Sequence, residues 1–235
     1  MIGRLAAFVR SETSVVVARL VPEIKLHLAR ASHKIFQSTR NFQACHQEAA
    51  SFPPYWAFAW PGGQAMARHV LDNPHLVRGL RVADVGTGSG IASIAAAMAG
   101  AAHVLAVDVD PLAAAAIAIN AAENGVAAVL DITTEDCLAE LPPVDLIMIS
   151  DLVYEPELAV RVGGFVERAL AAGVPVIIGD RLSARCPARG FAEVARYDAP
   201  LTPPLHDEDA EQGRVWHARP QRGKTRRAGR GSIGP

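Results

Sequence analysis

The sequence predicts an α/β protein with a doubly wound, mostly parallel β-sheet, and two observations support this fold class. Short apolar segments alternate with Ala-rich helical segments between residues 81 and 178, and several of the apolar segments have no polar face. Strands that are apolar on both faces are typical of a parallel sheet covered by helices on both sides. The length of 235 residues fits one such domain with an N-terminal extension.

Hydrophobic periodicity, with Pro and Gly as boundary signals, predicts the individual elements. Residues 1–50 are predicted to form a helical extension, with a helix beginning at Pro22. A helix over 65–71 follows an aromatic segment. Strands are then predicted at 81–85, 103–107, 126–132, 144–150 and 174–178, and helices at 91–99, 111–123 and 157–171. A short helix at 191–195 and a final strand at 214–219, antiparallel and near an edge, complete the domain, which spans 51–220.

Composition and charge give no sign of a nucleic-acid-binding, membrane, secreted or metal-binding protein. The net charge of −1 gives no reason to expect nucleic acid as a partner, although residues 221–235 form a basic tail that we expect to be disordered. No apolar segment has the length and flanks of a membrane span or a secretory signal. Cys45, Cys137 and Cys186 are widely spaced and fit a reducing cytoplasm, and the eight histidines show no metal-binding motif.

A glycine-rich turn joins the first of the regular strands to the next helix. It reads Asp84-Val85-Gly86-Thr87-Gly88-Ser89-Gly90, and glycines there let the backbone approach a ligand closely. The Gly-x-Gly-x-x-Gly pattern of dinucleotide-binding loops is absent, because Ile91 and Ser93 occupy the third glycine position in the two frames. The observed pattern favours a ligand with an ammonium group and no pyrophosphate, such as S-adenosylmethionine. In this interpretation Asp84 faces the ammonium group.

Two more acidic residues follow the next two strands. Asp108 ends the second regular strand, where a carboxylate can accept hydrogen bonds from both ribose hydroxyls. Asp110 is adjacent, and one of the two could instead only begin the following helix. Asp136 follows the third strand and could bind the adenine amine, with the Cys137 N–H nearby. The alternative for Asp136 is that it caps a short turn.

A third acidic signal follows the fourth, almost wholly apolar strand. In open α/β sheets, ligands bind outside the carboxyl ends of the strands, and Asp151 leaves this strand at that edge. We expect Asp151 to orient an incoming amine and Tyr154 to form part of the pocket wall. Glu155-Pro156 is interpreted as the start of a helix.

At these residues the sequence resembles class I, seven-β-strand methyltransferases. Within that class it resembles the protein lysine methyltransferases that modify the β subunit of electron transfer flavoprotein, from about Thr13 to Arg219. The segments that carry this narrower resemblance are Pro54-Tyr55-Trp56-Ala57-Phe58-Ala59-Trp60-Pro61-Gly62-Gly63-Gln64-Ala65, Asp72-Asn73-Pro74, Asp151-Leu152-Val153-Tyr154 and Ile178-Gly179-Asp180. The glycine motif is shared by many activities, whereas the aromatic segment is more specific.

The resemblance implies a Rossmann-like sheet of seven strands, S-adenosylmethionine as cofactor and the flavoprotein β subunit as substrate. It also implies that Trp60, Gly62 and Gln64 line the cofactor site, and that Asp151 and Tyr154 lie near the transferred methyl group. Ordinary core packing is the alternative for Trp56 and Phe58. The alternative functions are methylation of a ribosomal protein or another amine, and a noncatalytic module that binds S-adenosylmethionine.

Overall fold

The computed structural model describes residues 2–46, 51–181, 190–203 and 212–219. The predicted basic tail and Cys186 lie outside these residues. The helices are α1 Ile2–Glu12, α2 Ser32–Cys45, α3 Pro61–Asp72, α4 Ile91–Met98, α5 Pro111–Glu123 and α6 Pro156–Ala171. The strands are β1 Thr13–Ala18, β2 Val21–Ala29, β3 Arg81–Val85, β4 His103–Val107, β5 Leu130–Thr133, β6 Leu146–Ser150, β7 Val176–Asp180, β8 Phe191–Asp198 and β9 Gln212–Ala218.

Seven of these strands form one sheet, in the order β5-β4-β3-β6-β7-β9-β8. The first five are parallel, and β9 pairs antiparallel with both β7 and β8. The order reverses between β3 and β6, which is where open α/β sheets leave a crevice for a ligand at the carboxyl ends of the strands. The doubly wound, seven-stranded and mostly parallel sheet is therefore confirmed.

Both faces of the sheet are covered. Consecutive residues of β3 point to opposite sides, so Val82 belongs to one core cluster and Ala83 to another. The first cluster contains Met66 of α3 and Ile117 of α5, and the second contains Phe165 of α6. Burial on both faces explains why the central strands are apolar without alternation.

The predicted helical extension is only partly correct. Helices α1 and α2 are present, but the antiparallel hairpin β1–β2 lies between them, so the helix predicted to begin at Pro22 is wrong. The physical reason is the spacing of Ile24, Leu26 and Leu28, which alternate with period two and are all fully buried. Pro22 is the second residue of this strand rather than the first turn of a helix.

A second correction concerns the segment after β7. The short helix predicted at 191–195 is strand β8, which pairs along its length with β9. The strand predicted at 126–132 begins later, at Leu130, because a single 3₁₀ turn occupies Ala127–Val129. The strand at 81–85 and the helix at 111–123 match their predicted bounds, and β9 is antiparallel and next to the edge strand, as predicted.

Two asparagines attach the β1–β2 hairpin to the domain: Asn120 lies in α5, and Asn124 caps its C-terminus. The buried Asn120 accepts a hydrogen bond from the His27 N–H at 2.7 Å and donates one to the Ser89 carbonyl at 2.8 Å. Asn124 accepts from the Lys25 N–H and donates to the Lys25 carbonyl. Helix α5 therefore connects the hairpin to the glycine-rich turn.

Helix α3 packs across β7 and β9 and meets β9 through a pair of histidines. The Nε2 atoms of His69 and His217 are 3.0 Å apart, so one ring donates a hydrogen bond to the other. Burial and the neighbouring His69 lower the pKa of His217 to about 4. Burial lowers the pKa of His69 as well, so both rings are neutral at physiological pH. Within the described residues, none of the helices has the length and apolar character needed to span a bilayer.

Candidate active site

A cavity of about 690 Å³ opens at the carboxyl ends of the central strands. Its wall contains seven of the residues that the sequence singled out: Trp60, Gly86, Gly88, Asp108, Asp136, Asp151 and Tyr154. Within the described part of the chain, four other predicted site residues lie behind the wall and do not line the cavity: Gly62, Gln64, Asp84 and Gly90. The volume falls in the range of ligand pockets, about 300–1,000 Å³.

The three glycines of the turn have different surroundings, although all three have positive φ. A Cβ at Gly86 would lie 2.7 Å from Cδ1 of Leu152. A Cβ at Gly88 would meet no atom within 4 Å, and Gly88 lies on the cavity wall. Gly90 packs instead on Ile117 of α5. All three positions therefore have a backbone conformation that favours glycine, and the turn is open towards the cavity at Gly88.

Asp84 lies fully buried beneath the glycine-rich turn. Its Oδ2 atom accepts hydrogen bonds from the hydroxyls of Thr87 at 2.7 Å and Ser93 at 2.6 Å. Burial raises the pKa of Asp84 above its usual value. These contacts fix the turn to the start of α4, and the expected contact of Asp84 with a ligand ammonium group stays a prediction.

Asp108 lies at the carboxyl end of β4 and lines the cavity. Its carboxylate accepts the N–H groups of Gly88 at 2.8 Å and Asp110 at 3.1 Å, one on each oxygen. Burial raises the pKa of Asp108. Each carboxylate oxygen can accept a second hydrogen bond, so two ligand hydroxyls could still bind. Asp110 caps α5 by accepting the Leu112 N–H, which is the helix-starting role expected of one of the two acids.

Asp136 reaches the cavity wall after β5, but its carboxylate has protein partners. It accepts the Leu138 N–H at 2.9 Å and forms an ion pair with Arg161 of α6. The Arg161 guanidinium lowers the pKa of Asp136, which stays ionised. The contact with Leu138 is the turn cap considered as the alternative, and the expected contact with an adenine amine stays a prediction. Burial raises the pKa of Cys137 to about 11, so this thiol is protonated.

Asp151 follows β6 with a φ of 48°, a left-handed conformation that is uncommon outside glycine. Its N–H donates to the Gly179 carbonyl at 2.9 Å, and its Oδ2 atom accepts the Gly63 N–H of α3 at 2.9 Å. Burial and the neighbouring Asp180 raise the pKa of Asp151 to about 8. The carboxyl group thus lies at the N-terminus of a helix, on the cavity wall, with a pKa close to neutrality.

Gly62 and Gln64 shape the site from behind the wall. A Cβ at Gly62 would lie 2.4 Å from the Gly179 oxygen, so glycine lets α3 approach the sheet directly. Gln64 is fully buried, and its Nε2 atom donates to the carbonyls of Ala59 and Pro200 at 2.8 and 2.7 Å. These bonds join the aromatic segment to the chain after β8. The direct cofactor contacts that the resemblance implies for both residues stay predictions.

Three aromatic rings form one side of the cavity. The Tyr55 ring makes edge contacts with Trp60 and Tyr154, with ring centroids 5.6 and 5.4 Å apart. The Trp60 indole N–H donates to the Tyr55 carbonyl at 2.9 Å, and the Arg181 guanidinium lies 6.0 Å from a Trp60 ring centroid. Burial raises the pKa of Tyr154 to about 12, so its phenol is neutral. An aromatic surface of this kind can hold a cation through its ring faces.

The structure adds residues to which the sequence assigned no role. Asp180 and Arg181 line the cavity at the end of β7, and Leu152 packs against Gly86. The rule that selected Asp151, an acid at the carboxyl end of an apolar strand, would also have found Asp180. Arg161 has no local signal, because its partner Asp136 is 25 residues away. Phe58 is fully buried in the core, whereas Trp56 is buried and also reaches the cavity wall.

Known structures and a family model show which proteins share this fold. A solved structure of a candidate RNA methyltransferase from Pyrococcus horikoshii matches 78% of this chain and 98% of its own, with a TM-score of 0.55 and 16% identity. Magnesium protoporphyrin IX methyltransferase from Synechocystis PCC 6803, solved with bound SAM, matches 67% of this chain with a TM-score of 0.50 and 20% identity. The model of the ribosomal protein L11 methyltransferase (PrmA) family matches residues 65–154. The two structures show that the chain shares its fold with methyltransferases, and the family model matches the part of the chain that contains the glycine-rich turn.

Curated relatives identify the family within this class. Electron transfer flavoprotein beta subunit lysine methyltransferase from Xenopus laevis is 39% identical over 179 residues, which is 74% of this chain and 69% of that protein. The protein of the same name from Rattus norvegicus is 32% identical over 223 residues, which is 92% of this chain and 85% of that protein. The chain belongs to the family of electron transfer flavoprotein beta subunit lysine methyltransferases. The family expected from the sequence is thereby confirmed.

Proposed function

We propose that this protein binds S-adenosylmethionine in the cavity and transfers its methyl group to a lysine side chain of the electron transfer flavoprotein β subunit. The observation that carries the proposal is that Asp108, Asp151 and the open side of the glycine-rich turn at Gly88 line one cavity. The relatives named above support the substrate, because they are named for methylating that β subunit.

The chemistry of the wall fits this cofactor. Both oxygens of Asp108 can accept ribose hydroxyls, and the turn at Gly88 leaves room for a ligand against the backbone. Seven acidic and two basic residues line the wall: Asp108, Asp110, Asp136, Asp151, Glu155, Glu157, Asp180, Arg161 and Arg181. This excess of acids favours a cofactor with a sulfonium and an ammonium group, and equally a lysine substrate. When bound, the cofactor supplies an electrophilic methyl group.

The residues of the site then have to present a neutral amine to that methyl group. Lysine has a reference pKa near 10.4, so only about one molecule in a thousand is neutral at pH 7.4, which is a deficit of about 4 kcal/mol. The aromatic rings of Tyr55, Trp60 and Tyr154 replace water around the amine, and such desolvation favours its neutral form. Asp151 lies at the same wall and can accept a hydrogen bond from the amine, which orients the nitrogen lone pair.

The experiment is methyl transfer from tritiated S-adenosylmethionine to purified electron transfer flavoprotein. We expect label on lysine of the β subunit with the wild-type protein and at least a 100-fold slower transfer with Asp151→Ala. The matched control is Asp145→Ala, because Asp145 pairs with Arg81 at the opposite end of the sheet. This control should label the β subunit at the wild-type rate.

The same experiment tests the alternative substrate. The match of residues 65–154 to the ribosomal protein L11 methyltransferase model makes ribosomal protein the second candidate. Cell extract from which the flavoprotein has been removed should therefore be labelled in parallel. Label on ribosomal bands and none on the flavoprotein would replace the proposed substrate. If the protein fails to bind S-adenosylmethionine in a calorimetric titration, the proposal as a whole is wrong.

A further inference from the structure

Asp151 and Asp180 lie side by side at the carboxyl edge of the sheet. Strands β6 and β7 are parallel neighbours in which Ser150 pairs with Gly179, and each aspartate is the next residue along its strand. The Asp151 N–H donates to the Gly179 carbonyl at 2.9 Å, which holds the two strand ends together. Asp180 is only 3% exposed, and both residues line the cavity. Two carboxyl groups therefore share one buried part of the wall.

The groups around Asp151 favour its neutral form. The groups that act on Asp151 are Asp180 and Arg181 of the β7 end, and the N–H groups of Gly62 and Gly63 at the start of α3. Tyr154 and Glu155, from the loop after β6, and Tyr55 line the same cavity. Burial and Asp180 disfavour the charged form of Asp151, and they outweigh the N–H donors and Arg181, which favour it. A negative charge on Asp180 therefore makes it harder for Asp151 to lose its proton.

We propose that Asp180 is a positioning residue which, together with Asp151, makes this wall a proton acceptor for the ammonium group of the lysine substrate. The proposal rests on the proposed function, because the amine is the substrate of the transfer. Asp180 acts through Asp151. It keeps a second carboxylate next to the first, so the pair binds one proton more tightly than an isolated aspartate does.

Proton transfer to Asp151 precedes transfer of the methyl group. The lysine ammonium gives one proton to the ionised Asp151, which becomes a neutral carboxylic acid, and the amine is left neutral. Its lone pair then attacks the methyl carbon; the carbon–nitrogen bond forms, and the carbon–sulfur bond breaks with its electron pair going to sulfur. The methylated amine carries one positive charge. Asp151 afterwards releases its proton to water in the cavity, which returns the pair to its starting state.

A pair of carboxyl groups accepts the lysine proton more readily than a single carboxylate, because the pKa of the acceptor lies closer to that of the amine. A lysine amine has a reference pKa near 10.4 and an aspartate a value near 3.9, so a proton would rarely pass between them. With the pKa of Asp151 raised to about 8, the difference falls to between two and three units. A general base with a pKa near the operating pH is the most effective one.

The test follows the titration of Asp151 itself and needs neither cofactor nor substrate. Protein labelled with ¹³C at the aspartate carboxyls is titrated by NMR from pH 5 to pH 10, and the Asp151 signal is assigned by its loss in Asp151→Asn. We expect Asp180→Asn to shift the Asp151 midpoint down by at least one pH unit. Asp145→Asn, at the opposite end of the sheet, should leave it unchanged. Asp180→Ser serves as the second variant, and circular dichroism checks that each variant folds.

The pH profile of methyl transfer provides the second measurement. The rise of kcat/KM with pH should move to lower pH in Asp180→Asn by the same amount as the Asp151 titration, and the maximal rate should fall about tenfold. A structural role for Asp180 would lower the rate at every pH without moving the profile. An Asp151 midpoint that is unchanged in both folded Asp180 variants would overturn the inference and leave the proposed function intact. A shifted midpoint without methyl transfer to any lysine would overturn the proposed function and, with it, the proton-acceptor role.

Discussion

The carboxylate of Asp151 occupies the space that a side chain on Gly62 would need. A Cβ built on Gly62 would lie 2.7 Å from each Asp151 carboxylate oxygen, well inside van der Waals contact. The helix α3 backbone therefore approaches the sheet without a side chain between them. The same close approach brings the Gly63 N–H to the carboxylate. The first turn of α3 thus holds the Asp151 carboxylate in place at the cavity wall.

Gly62→Ala should destabilise the protein by about 3 kcal/mol or more, because the new methyl group meets backbone as well as the carboxylate and forces α3 off the sheet. The matched control is Gly163→Ala in α6, where a Cβ would meet no atom within 4 Å. This control should stabilise the helix by about 0.5–1 kcal/mol. Urea unfolding of the three proteins measures both effects. Equal stabilities for the two variants would contradict the contact described here.

Asp108→Ala should weaken the binding of S-adenosylmethionine at least about 100-fold, since it removes two hydrogen bonds to a charged group and each contributes about 1.5–3 kcal/mol. The loss includes an indirect part, because Asp108 also accepts the Gly88 N–H and so holds the glycine-rich turn. Isothermal calorimetry with the purified protein gives the two dissociation constants. Asp131→Ala, an exposed acid of β5, should bind as the wild type does. A dissociation constant within threefold of wild type for Asp108→Ala would argue against the ribose contact.

Asn120→Ala should cost about 3 kcal/mol of unfolding free energy, because it leaves the His27 N–H and the Ser89 carbonyl without their partner in a buried place. Asn124→Ala removes two similar bonds to Lys25, but water can replace them at this more exposed position. We therefore expect a loss of about 1 kcal/mol or less there. Thermal unfolding of the two variants compares them directly. The prediction fails if the Asn124 variant is the less stable of the two.

Acid should destabilise the protein through the histidine pair. The folded state lowers the pKa of His217 to about 4, so the neutral ring is favoured, and this contribution is fully present above the unfolded value near 6.5. As the pH falls from 6.5 to 4, the free energy of unfolding should decrease by about 2 kcal/mol, a value reduced to allow for the partial exposure of His217. Urea unfolding of wild type and His217→Gln across this pH range measures the difference. Parallel curves for the two proteins would show that the histidine pair does not titrate in this way.

The sequence was informative where a signal is local. Periodicity predicts the strand and the glycine-rich turn around Asp84. The rule that ligands bind at the carboxyl ends of the strands points to the acids there, Asp108 and Asp151. The resemblance supplied the family. In the N-terminal region, a proline next to an apolar run suggested a helix, whereas the burial of alternate residues against α3 and α4 selects the two-residue period of a strand.

Contacts between distant segments could not be predicted. The bond from Gly63 to Asp151 joins residues 88 positions apart, and the one from Gln64 to Pro200 joins residues 136 apart. No pattern in either segment indicates the other. The sequence therefore gave no account of the close backbone approach at Gly62 or of the buried hydrogen bonds of Gln64, and the cofactor contacts expected of both residues stay predictions.

The position of β9 between β7 and β8 has a consequence for synthesis on the ribosome. Strand β8 leaves the ribosome before β9, yet in the described sheet it pairs with β9 and not with β7. Until residues 212–218 emerge, β7 and β8 both present unpaired backbone edges, which are the part of a nascent sheet most prone to aggregate. Ribosome stalling before this point should thus yield a chaperone-dependent chain, and release of β9 should close the sheet in one step.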